Sequence, residues 1–210
     1  MLRILTIDDH AVVRKGVKAL FANRPGTVAF GEASSVPEAI KSMREEEWDI
    51  VVLDITLGDR SGLDLMKELR VIRPGVPILV LSMHSEAQYA RRAFKAGASG
   101  YITKDTIPDE LLKAIHRVAA GGKYVSPEFA ESLVTDVDAG VSKEPHERLS
   151  DRELEILLLI ASGKTVSEIG ELLCRSVKTI STYRTRILEK MNLRTNAELT
   201  HYAIHKKLVE

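Results

Sequence analysis

Short apolar runs alternate with segments of helical periodicity from the N-terminus to Ala120. Such runs are typical of strands buried on both faces, and apolar residues spaced three or four apart mark the core side of a helix. The predicted strands are Arg3–Ile7, Val28–Glu32, Ile50–Leu53, Ile78–Leu81 and Tyr101–Thr103. The predicted helices are Ala11–Ala22, Pro37–Glu46, Gly62–Ile72, Glu86–Ala96 and Pro108–Ala120. This alternation predicts an α/β fold in which helices cover both faces of a parallel sheet.

The length and strand count of this part resemble the flavodoxin-like doubly wound arrangement, with a five-stranded parallel sheet and right-handed crossovers. Ligands of such sheets bind beyond the carboxyl ends of the strands. Polar residues stand at four of these ends: Asp8 and Asp9, Asp54, Ser82 and Lys104. A charged group that ends a buried strand is costly unless it is paired, hydrogen-bonded or bound to metal. We therefore expect a site at this rim of the sheet.

The carboxylates narrow the chemistry of the rim. Three carboxylates close together repel one another, and a divalent cation that prefers oxygen ligands removes that penalty. We expect Mg²⁺, and its predicted ligands are carboxylate oxygens of Asp9 and Asp54, the backbone carbonyl oxygen of Thr56 and, through water, Asp8. One carboxylate would act as a nucleophile toward a phosphoryl group. Ser82 and Lys104 are placed to bind the phosphoryl oxygens.

The second part of the chain is predicted to be all-α. A short helix is expected to begin at Ser126, and Thr135–Arg148 lacks apolar periodicity, which predicts a linker. Ser150 with Glu153 three residues later predicts a capping box at a helix start, as Ser35 with Glu38 does in the first part of the chain. The four predicted helices are Asp151–Ala161, Val166–Leu173, Ser176–Met191 and Asn196–His205. They are long enough for a compact bundle with a small core.

The third of these helices separates an apolar face from a polar one. Helical spacing groups four apolar residues, namely Ile180, Tyr183, Ile187 and Met191. The polar face and its flanks carry Lys178, Ser181, Thr182, Thr185 and Glu189, with Arg184 and Arg186 on either side. Short polar side chains that face base edges, with arginines that reach phosphates, suit a helix in the major groove of double-stranded DNA. An ordinary amphipathic surface helix shows the same pattern, so this helix alone leaves both interpretations open.

Composition and charge add further constraints. The chain has 210 residues, 44% of them hydrophobic, and no apolar run long enough to span a bilayer, so we expect two small domains and no membrane partner. The single cysteine, Cys174, cannot form an internal disulfide. We interpret it as a small buried side chain, consistent with a cytoplasmic location. The net charge of zero conceals a basic segment, residues 175–194, with six Lys/Arg and the single acid Glu189.

Four segments of the first part resemble the receiver domain of two-component response regulators. They are Ile7-Asp-Asp-His10, Val52-Leu-Asp-Ile-Thr56, Leu81-Ser82 and Tyr101-Ile-Thr-Lys104. The resemblance implies that Asp54 is the phosphoacceptor, charged from the phosphohistidine of a sensor histidine kinase, and that Ser82 and Tyr101 are the switch pair. Gly58 and Asp105 stand where receivers often carry prolines. These departures concern only the paths of two loops.

A second resemblance covers nearly all of residues 148–208. The strings Leu149-Ser-Asp-Arg-Glu-Leu-Glu155, Gly163-Lys-Thr-Val-Ser-Glu-Ile169 and Val177-Lys-Thr-Ile180 resemble the LuxR-type helix-turn-helix. Joined to a receiver, they resemble a response regulator of the NarL/FixJ type, and the segment from Lys178 to Met191 is similar to the GacA-like branch. The implied organisation is a receiver at 1–122, a short helix and linker at 123–147, and a DNA-binding domain at 148–210.

The function implied is a phosphorylation-controlled transcription factor, not an enzyme, that forms a homodimer when phosphorylated. An alternative is a phosphatase of the haloacid dehalogenase type, which also uses an aspartate after a strand. That class has a second acid two residues on, where this chain has Thr56. A mononucleotide-binding domain lacks support because the turn after the first strand has no glycine-rich cradle. A receiver with a protein- or RNA-binding output is the third alternative.

Overall fold

The structure, a computed structural model, describes residues 1–22, 27–57, 60–83, 86–106, 108–127, 129–131, 144–206 and 208–209. It divides into two compact units, Met1–Asp138 and Ala139–Glu210. None of the helices within the described ranges has the length and apolar character needed to cross a lipid bilayer.

The first unit is a parallel sheet with a helix after each strand. The strands of this sheet are β1 (Leu2–Ile7), β2 (Val28–Ala33), β3 (Ile50–Leu53), β6 (Ile78–Ser82) and β7 (Gly100–Thr103). Their spatial order is β2-β1-β3-β6-β7, and every neighbouring pair is parallel. The helices are α1 (Ala11–Ala19), α2 (Val36–Glu45), α3 (Gly62–Ile72), α4 (Glu86–Lys95) and α5 (Pro108–Ala119). The predicted α/β doubly wound sheet is confirmed.

The two central strands are buried along their whole length. Every residue of β3 and β6 is buried, as the continuous apolar runs predict for strands covered on both faces. On one face Ile50, Val52 and Leu79 belong to a buried cluster with Ile115 and Val118 of α5. The chain order reverses between β1 and β3, so their carboxyl ends flank the crevice in which such sheets bind ligands.

A small hairpin follows β3 that the sequence did not predict. Strands β4 (Thr56–Leu57) and β5 (Arg60–Ser61) pair antiparallel, and α3 begins at Gly62. Gly58, between the two strands, lies outside the described residues. A Cβ atom on Gly62 would lie 2.2 Å from the carbonyl oxygen of Asp54 and 2.6 Å from Cα of Ile55. Only glycine fits at this position, because the chain returns directly against the end of β3.

The segment after α5 returns to the edge of the sheet. The Tyr124 N–H donates to the Ser99 carbonyl oxygen (3.1 Å), and the Tyr101 N–H donates to the Tyr124 carbonyl oxygen (3.0 Å). Farther along, the Ser126 N–H donates to the Glu86 carboxylate at the start of α4 (2.9 Å). Backbone pairing therefore ties this segment to β7 beside Tyr101. The expected short helix appears as helical residues at Pro127 and 129–131.

The second unit is a four-helix bundle. Its helices are α6 (Asp151–Ala161), α7 (Val166–Leu172), α8 (Val177–Met191) and α9 (Asn196–His205). The predicted capping box of Ser150 and Glu153 is present, and Thr165 with Glu168 forms a second one. Leu154, Leu157, Ile169, Ile180, Ile187 and Leu199 are among the buried residues of this unit.

Two local predictions were wrong. Ser35 forms no capping box, because Glu38 instead accepts hydrogen bonds from the N–H and the hydroxyl of Ser34. Cys174 is exposed rather than buried, since its left-handed backbone (φ 50°) at the end of α7 directs it to solvent. Of the predicted linker Thr135–Arg148, residues 135–143 lie outside the described residues. Its last residues form a 3₁₀ helix, Pro145–Arg148.

Candidate functional site

Two buried carboxylates lie at the carboxyl ends of β1 and β3. Asp8 is 1% exposed and Asp54 is 3% exposed, whereas the neighbouring Asp9 is exposed. The Asp54 N–H donates to the Ile7 carbonyl oxygen (2.9 Å), which continues the pairing of β1 with β3 past the last strand residue. The sheet register therefore fixes the two carboxylates side by side.

The Lys104 side chain joins these carboxylates. Its Nζ atom lies 2.7 Å from Asp8 Oδ2 and 2.6 Å from Asp54 Oδ2, and the side chain is only 8% exposed. The Lys104 N–H donates to the Ser82 carbonyl oxygen (2.8 Å), which holds the residue just beyond the end of β7. Burial alone would lower the pKa of Lys104, but the hydrogen bonds and charges of the two carboxylates outweigh it and raise that pKa. The amine therefore stays charged.

Asp54 is a weaker acid than an exposed aspartate. Burial raises its pKa from the ordinary 3.8 to about 6, against the opposing effects of the Lys104 ammonium group and the Thr56 N–H. The Thr56 N–H donates to Asp54 Oδ1 (3.0 Å). Burial thus destabilises the ionised Asp54 carboxylate more than its contacts with Lys104 and Thr56 stabilise it. A further positive charge nearby would stabilise the ionised form.

The donor set fits a hard divalent cation. One potential ligand atom from each of Asp8, Asp9, His10 and Asp54 lies within 4.8 Å of the others. Carboxylate and carbonyl oxygens are the ligands that Mg²⁺ prefers. Thr56, whose carbonyl oxygen is the further predicted ligand, lies in the turn directly after Asp54 and is tied to it by the N–H described above. Its role as a ligand stays a prediction.

The sequence did not predict that His10 lies against these carboxylates. Its Nδ1 lies 2.7 Å from Asp9 Oδ1 and 3.2 Å from Asp8 Oδ1. The residue directly follows the two aspartates in sequence, which was the available signal. Its ring orientation depends on its position as the N-cap residue of α1, with extended backbone angles, and that is a feature of the folded chain.

Ser82 and Tyr101 form a buried pair beside the acidic pocket. Both residues are fully buried, on the neighbouring strands β6 and β7, and their side chains are hydrogen-bonded to each other. Burial raises the pKa of the Tyr101 hydroxyl, so the group stays neutral at physiological pH. The sequence placed Ser82 at a strand end and the receiver resemblance paired it with Tyr101; the structure adds their direct hydrogen bond.

In the second unit, α8 presents the predicted two faces. Ile180, Ile187 and Met191 are buried, Tyr183 is half-buried, and Leu188 is an additional buried residue. On the outer side Lys178, Thr182, Thr185 and Arg186 are exposed or partly exposed, as are Ser181 and Arg184. The helix therefore shows a continuous polar surface to solvent.

Several polar groups of this outer surface are held in place within the unit. The Thr182 hydroxyl donates to the Lys178 carbonyl oxygen (3.0 Å), and the Thr185 hydroxyl donates to the Ser181 carbonyl oxygen (3.1 Å). Each threonine thus keeps its oxygen lone pairs available as acceptors. Arg184 Nε donates to the Asn196 side-chain oxygen (2.6 Å), which orients the guanidinium group.

The turn between α7 and α8 is unusually tight. The Arg175 N–H donates to the Gly170 carbonyl oxygen (2.7 Å), and a Cβ on Gly170 would lie only 2.8 Å from the Arg175 carbonyl oxygen. Glycine at this position therefore lets the turn fold back closely against α7. This turn fixes the angle at which α8 leaves α7, and short turns of this kind occur in helix-turn-helix motifs.

Two protein families match the two units. The family described as response regulator receiver domain matches residues 4–116, and the family of bacterial regulatory proteins, luxR family, matches residues 147–203. The chain is 34% identical to the response regulator UvrY of Escherichia coli over 209 residues, 99% of this chain and 96% of that protein. It is 34% identical to the response regulator GacA of Pseudomonas protegens over 210 residues, 100% of this chain and 99% of that protein.

The chain is also similar to solved structures of response regulators. A two-component response regulator of the LuxR family from an Aurantimonas species is 39% identical, with a TM-score of 0.58, and covers 64% of this chain and 96% of its own. RcsB of Salmonella enterica, solved bound to the P1flhDC promoter in the presence of the phosphomimetic BeF₃⁻, is 26% identical with a TM-score of 0.57 and covers 96% of this chain and 97% of its own. The chain therefore belongs to the response regulators that join a receiver domain to a luxR-type DNA-binding domain.

Proposed function

We propose that Asp54 accepts a phosphoryl group from the phosphohistidine of a sensor histidine kinase, and that this controls DNA binding by α8. The observation that carries the proposal is the pocket at the end of β3. A buried carboxylate with a pKa raised to about 6 lies there, 2.6 Å from a buried lysine. In this proposal residues 1–122 act as the receiver, 123–147 as the connection, and 148–210 as the DNA-binding domain.

The chemistry follows from the environment of Asp54. Its ionised Oδ atom attacks phosphorus in line, the phosphorus–nitrogen bond of the phosphohistidine breaks, and the imidazole of the kinase leaves. Asp9, Asp54, the Thr56 carbonyl and, through water, Asp8 would hold Mg²⁺, which when bound neutralises the charge that collects around the phosphoryl oxygens. Lys104 supplies a second, fixed positive charge beside the acceptor carboxylate.

The switch is proposed to run through Ser82 and Tyr101. Once Asp54 carries a phosphoryl group, the Ser82 hydroxyl donates to a phosphoryl oxygen and gives up its hydrogen bond with Tyr101. A charge change at one site alters a distant surface only through an element with two arrangements. The Tyr101 backbone already pairs with Tyr124, so a shift of β7 bears directly on the segment that leads toward the second unit.

We propose that α8 makes two kinds of contact with DNA. Side chains on the polar face of α8 would read base edges, and the two arginines that flank this face would contact phosphates. The base-reading set is Lys178, Ser181, Thr182 and Thr185, and the phosphate-contacting set is Arg184 and Arg186. RcsB, to which this chain is similar, was solved on a promoter with a phosphomimetic present. Phosphorylation would promote a homodimer, because two DNA-binding domains on one duplex gain effective concentration.

The phosphoacceptor is tested by mapping the adduct. The intact protein is incubated with a small phosphodonor such as acetyl phosphate and Mg²⁺, and the labelled peptide is identified by mass spectrometry. Asp54→Asn should abolish labelling, whereas the matched variant Asp64→Asn, on the exposed side of α3, should label like the wild type. Equal labelling of Asp54→Asn, or an adduct on another residue, contradicts the proposal. Steady turnover of phosphate esters would indicate the phosphatase instead.

A further inference from the structure

His10 adds a nitrogen donor to a pocket otherwise made of oxygens. Its Nδ1 lies 2.7 Å from Asp9 Oδ1 and 3.2 Å from Asp8 Oδ1. In an octahedral complex with metal–ligand distances near 2.1 Å, neighbouring ligand atoms lie about 3 Å apart and opposite ones about 4 Å apart. The potential ligand atoms of Asp8, Asp9, His10 and Asp54 all lie within 4.8 Å of one another. The imidazole nitrogen thus lies at the spacing of neighbouring ligands from Asp9 Oδ1 and Asp8 Oδ1, and a small adjustment of the side chains would bring all four atoms to octahedral spacing.

The imidazole and the buried lysine use different carboxylate oxygens. Lys104 contacts the Oδ2 atoms of Asp8 and Asp54, whereas His10 faces the Oδ1 atoms of Asp8 and Asp9. A cation bound beside His10 consequently leaves the lysine contacts in place. Lys104 and such a cation would then share the negative charge of the pocket instead of competing for the same atoms.

The ring of His10 is accessible, while its backbone is fixed. Its side chain is 65% exposed, against 2% for Asp8, so a cation reaches it from solvent. The His10 N–H donates to Asp8 Oδ1 (2.8 Å), and its carbonyl accepts from Val13 N–H at the start of α1 (3.1 Å). These hydrogen bonds fix the His10 backbone. The exposed ring can adjust its orientation toward a bound cation without disturbing the core.

We propose that His10 is a metal ligand that makes this pocket bind first-row transition-metal cations such as Ni²⁺ more tightly than Mg²⁺. The inference rests on the proposed function, since it concerns the same pocket. Imidazole nitrogen suits Ni²⁺ and Zn²⁺, whereas Mg²⁺ prefers oxygen ligands and keeps several waters. Mg²⁺ is therefore bound through the carboxylate and carbonyl oxygens alone, and Ni²⁺ gains the nitrogen in addition. His10 sets the metal selectivity of the phosphoacceptor pocket.

The test compares metal affinities of full-length proteins by isothermal titration calorimetry. His10→Asn keeps a polar atom near the Nδ1 position but replaces a strong nitrogen ligand with an amide. It should weaken Ni²⁺ binding at least about tenfold and leave Mg²⁺ affinity within about twofold. His116→Asn, which removes an imidazole that packs against Phe21, is the matched control and should change neither affinity.

Two precautions make the measurement specific. The rings of His201 and His205 stack one turn apart on α9 with centroids 6.5 Å apart, and such a pair itself binds Ni²⁺, so every protein carries His201→Asn and His205→Asn. Pulsed electron paramagnetic resonance of bound Mn²⁺ provides a second signal. A nitrogen coupling from a directly bound imidazole should appear with His10 present and vanish in His10→Asn.

The outcomes separate the two proposals. Selective loss of Ni²⁺ affinity together with loss of the nitrogen coupling supports His10 as a ligand. The inference is overturned if His10→Asn changes neither the Mg²⁺ nor the Ni²⁺ affinity and the wild type shows no nitrogen coupling. The proposed magnesium site would then remain intact. If neither cation binds, or if Asp54→Asn leaves both affinities unchanged, the magnesium site and the role of His10 both fail.

Discussion

Replacing the proposed phosphoacceptor should stabilise the first unit at neutral pH. Asp54 is 3% exposed, and burial raises its pKa from 3.8 to about 6. A difference of this size means that the fold disfavours the ionised carboxylate by about 3 kcal/mol relative to the protonated one. The change Asp54→Asn places a neutral amide of nearly the same shape in the pocket, so the variant no longer bears the cost of burying a charge at this position.

The sign and size of the pH dependence follow from linkage. The folded protein holds the Asp54 proton more tightly than the unfolded chain, so stability falls as the pH rises from about 3.8 to about 6 and is then level. Raising the pH from about 5 to about 7.5 should therefore lower the free energy of unfolding by about 1.4 kcal/mol through this residue alone. That contribution is missing in Asp54→Asn, while all other titrating groups remain.

The assay uses the single tryptophan as a local reporter. Trp48 packs against Gly31 of β2, so its fluorescence during urea unfolding follows the first unit. Wild type, Asp54→Asn and the exposed control Asp64→Asn are compared at both pH values, without metal. The advantage of Asp54→Asn over the wild type should grow with pH, whereas Asp64→Asn should follow the wild type. If wild type and Asp54→Asn change equally, burial does not penalise the carboxylate and the reasoning is wrong.

Five further outcomes are expected. Thr182→Ala should change the preferred base at one operator position, by about 1–3 kcal/mol of binding free energy. Arg184→Ala should instead weaken binding to all duplexes alike and reduce the slope of log affinity against log salt concentration by about 1. Binding titrations at several salt concentrations would show both effects. Lys104→Ala should still allow labelling of Asp54 but abolish the phosphorylation-dependent gain in DNA affinity. Phosphodonor should shift the intact protein toward a dimer in sedimentation, and a phosphorylated monomer with raised DNA affinity would refute that model. Gly62→Ala should destabilise the first unit by about 1–3 kcal/mol in the Trp48 assay, because its Cβ overlaps the Asp54 carbonyl.

Much of the fold and the acidic pocket was predictable from local pattern. Ile50–Leu53 is a continuous apolar run, which in a parallel sheet means burial on both faces, and the polar residue that ends it must lie at the rim. The same logic placed Asp8, Ser82 and Lys104 at neighbouring strand ends. This reasoning works because the carboxyl ends of parallel strands meet at one edge of the sheet. The polar residues that directly follow the strands therefore lie close together.

The outer face of α8 was predictable for a similar reason. Helical periodicity by itself assigned Ile180, Ile187 and Met191 to the core, and burial in the structure agrees. It could not show that Arg184 is oriented by Asn196, since those residues belong to different helices and meet only after the chain has turned. Nor could it show that Cys174 faces solvent, because a left-handed backbone at that turn decides the direction of its side chain.

The sequence by itself determined which residue types stand at the ends of the strands and which positions of each helix face the core, because these follow from spacings of two and of three to four residues. Tertiary structure alone decided the distances that give the pocket its chemistry. The raised pKa of Asp54 requires its burial, the contact of Lys104 with two carboxylates requires the register of β7 beside β6, and the approach of His10 requires the start of α1. The first two depend on contacts between residues far apart in the chain, where the surrounding atoms exclude water, and no local pattern encodes that exclusion.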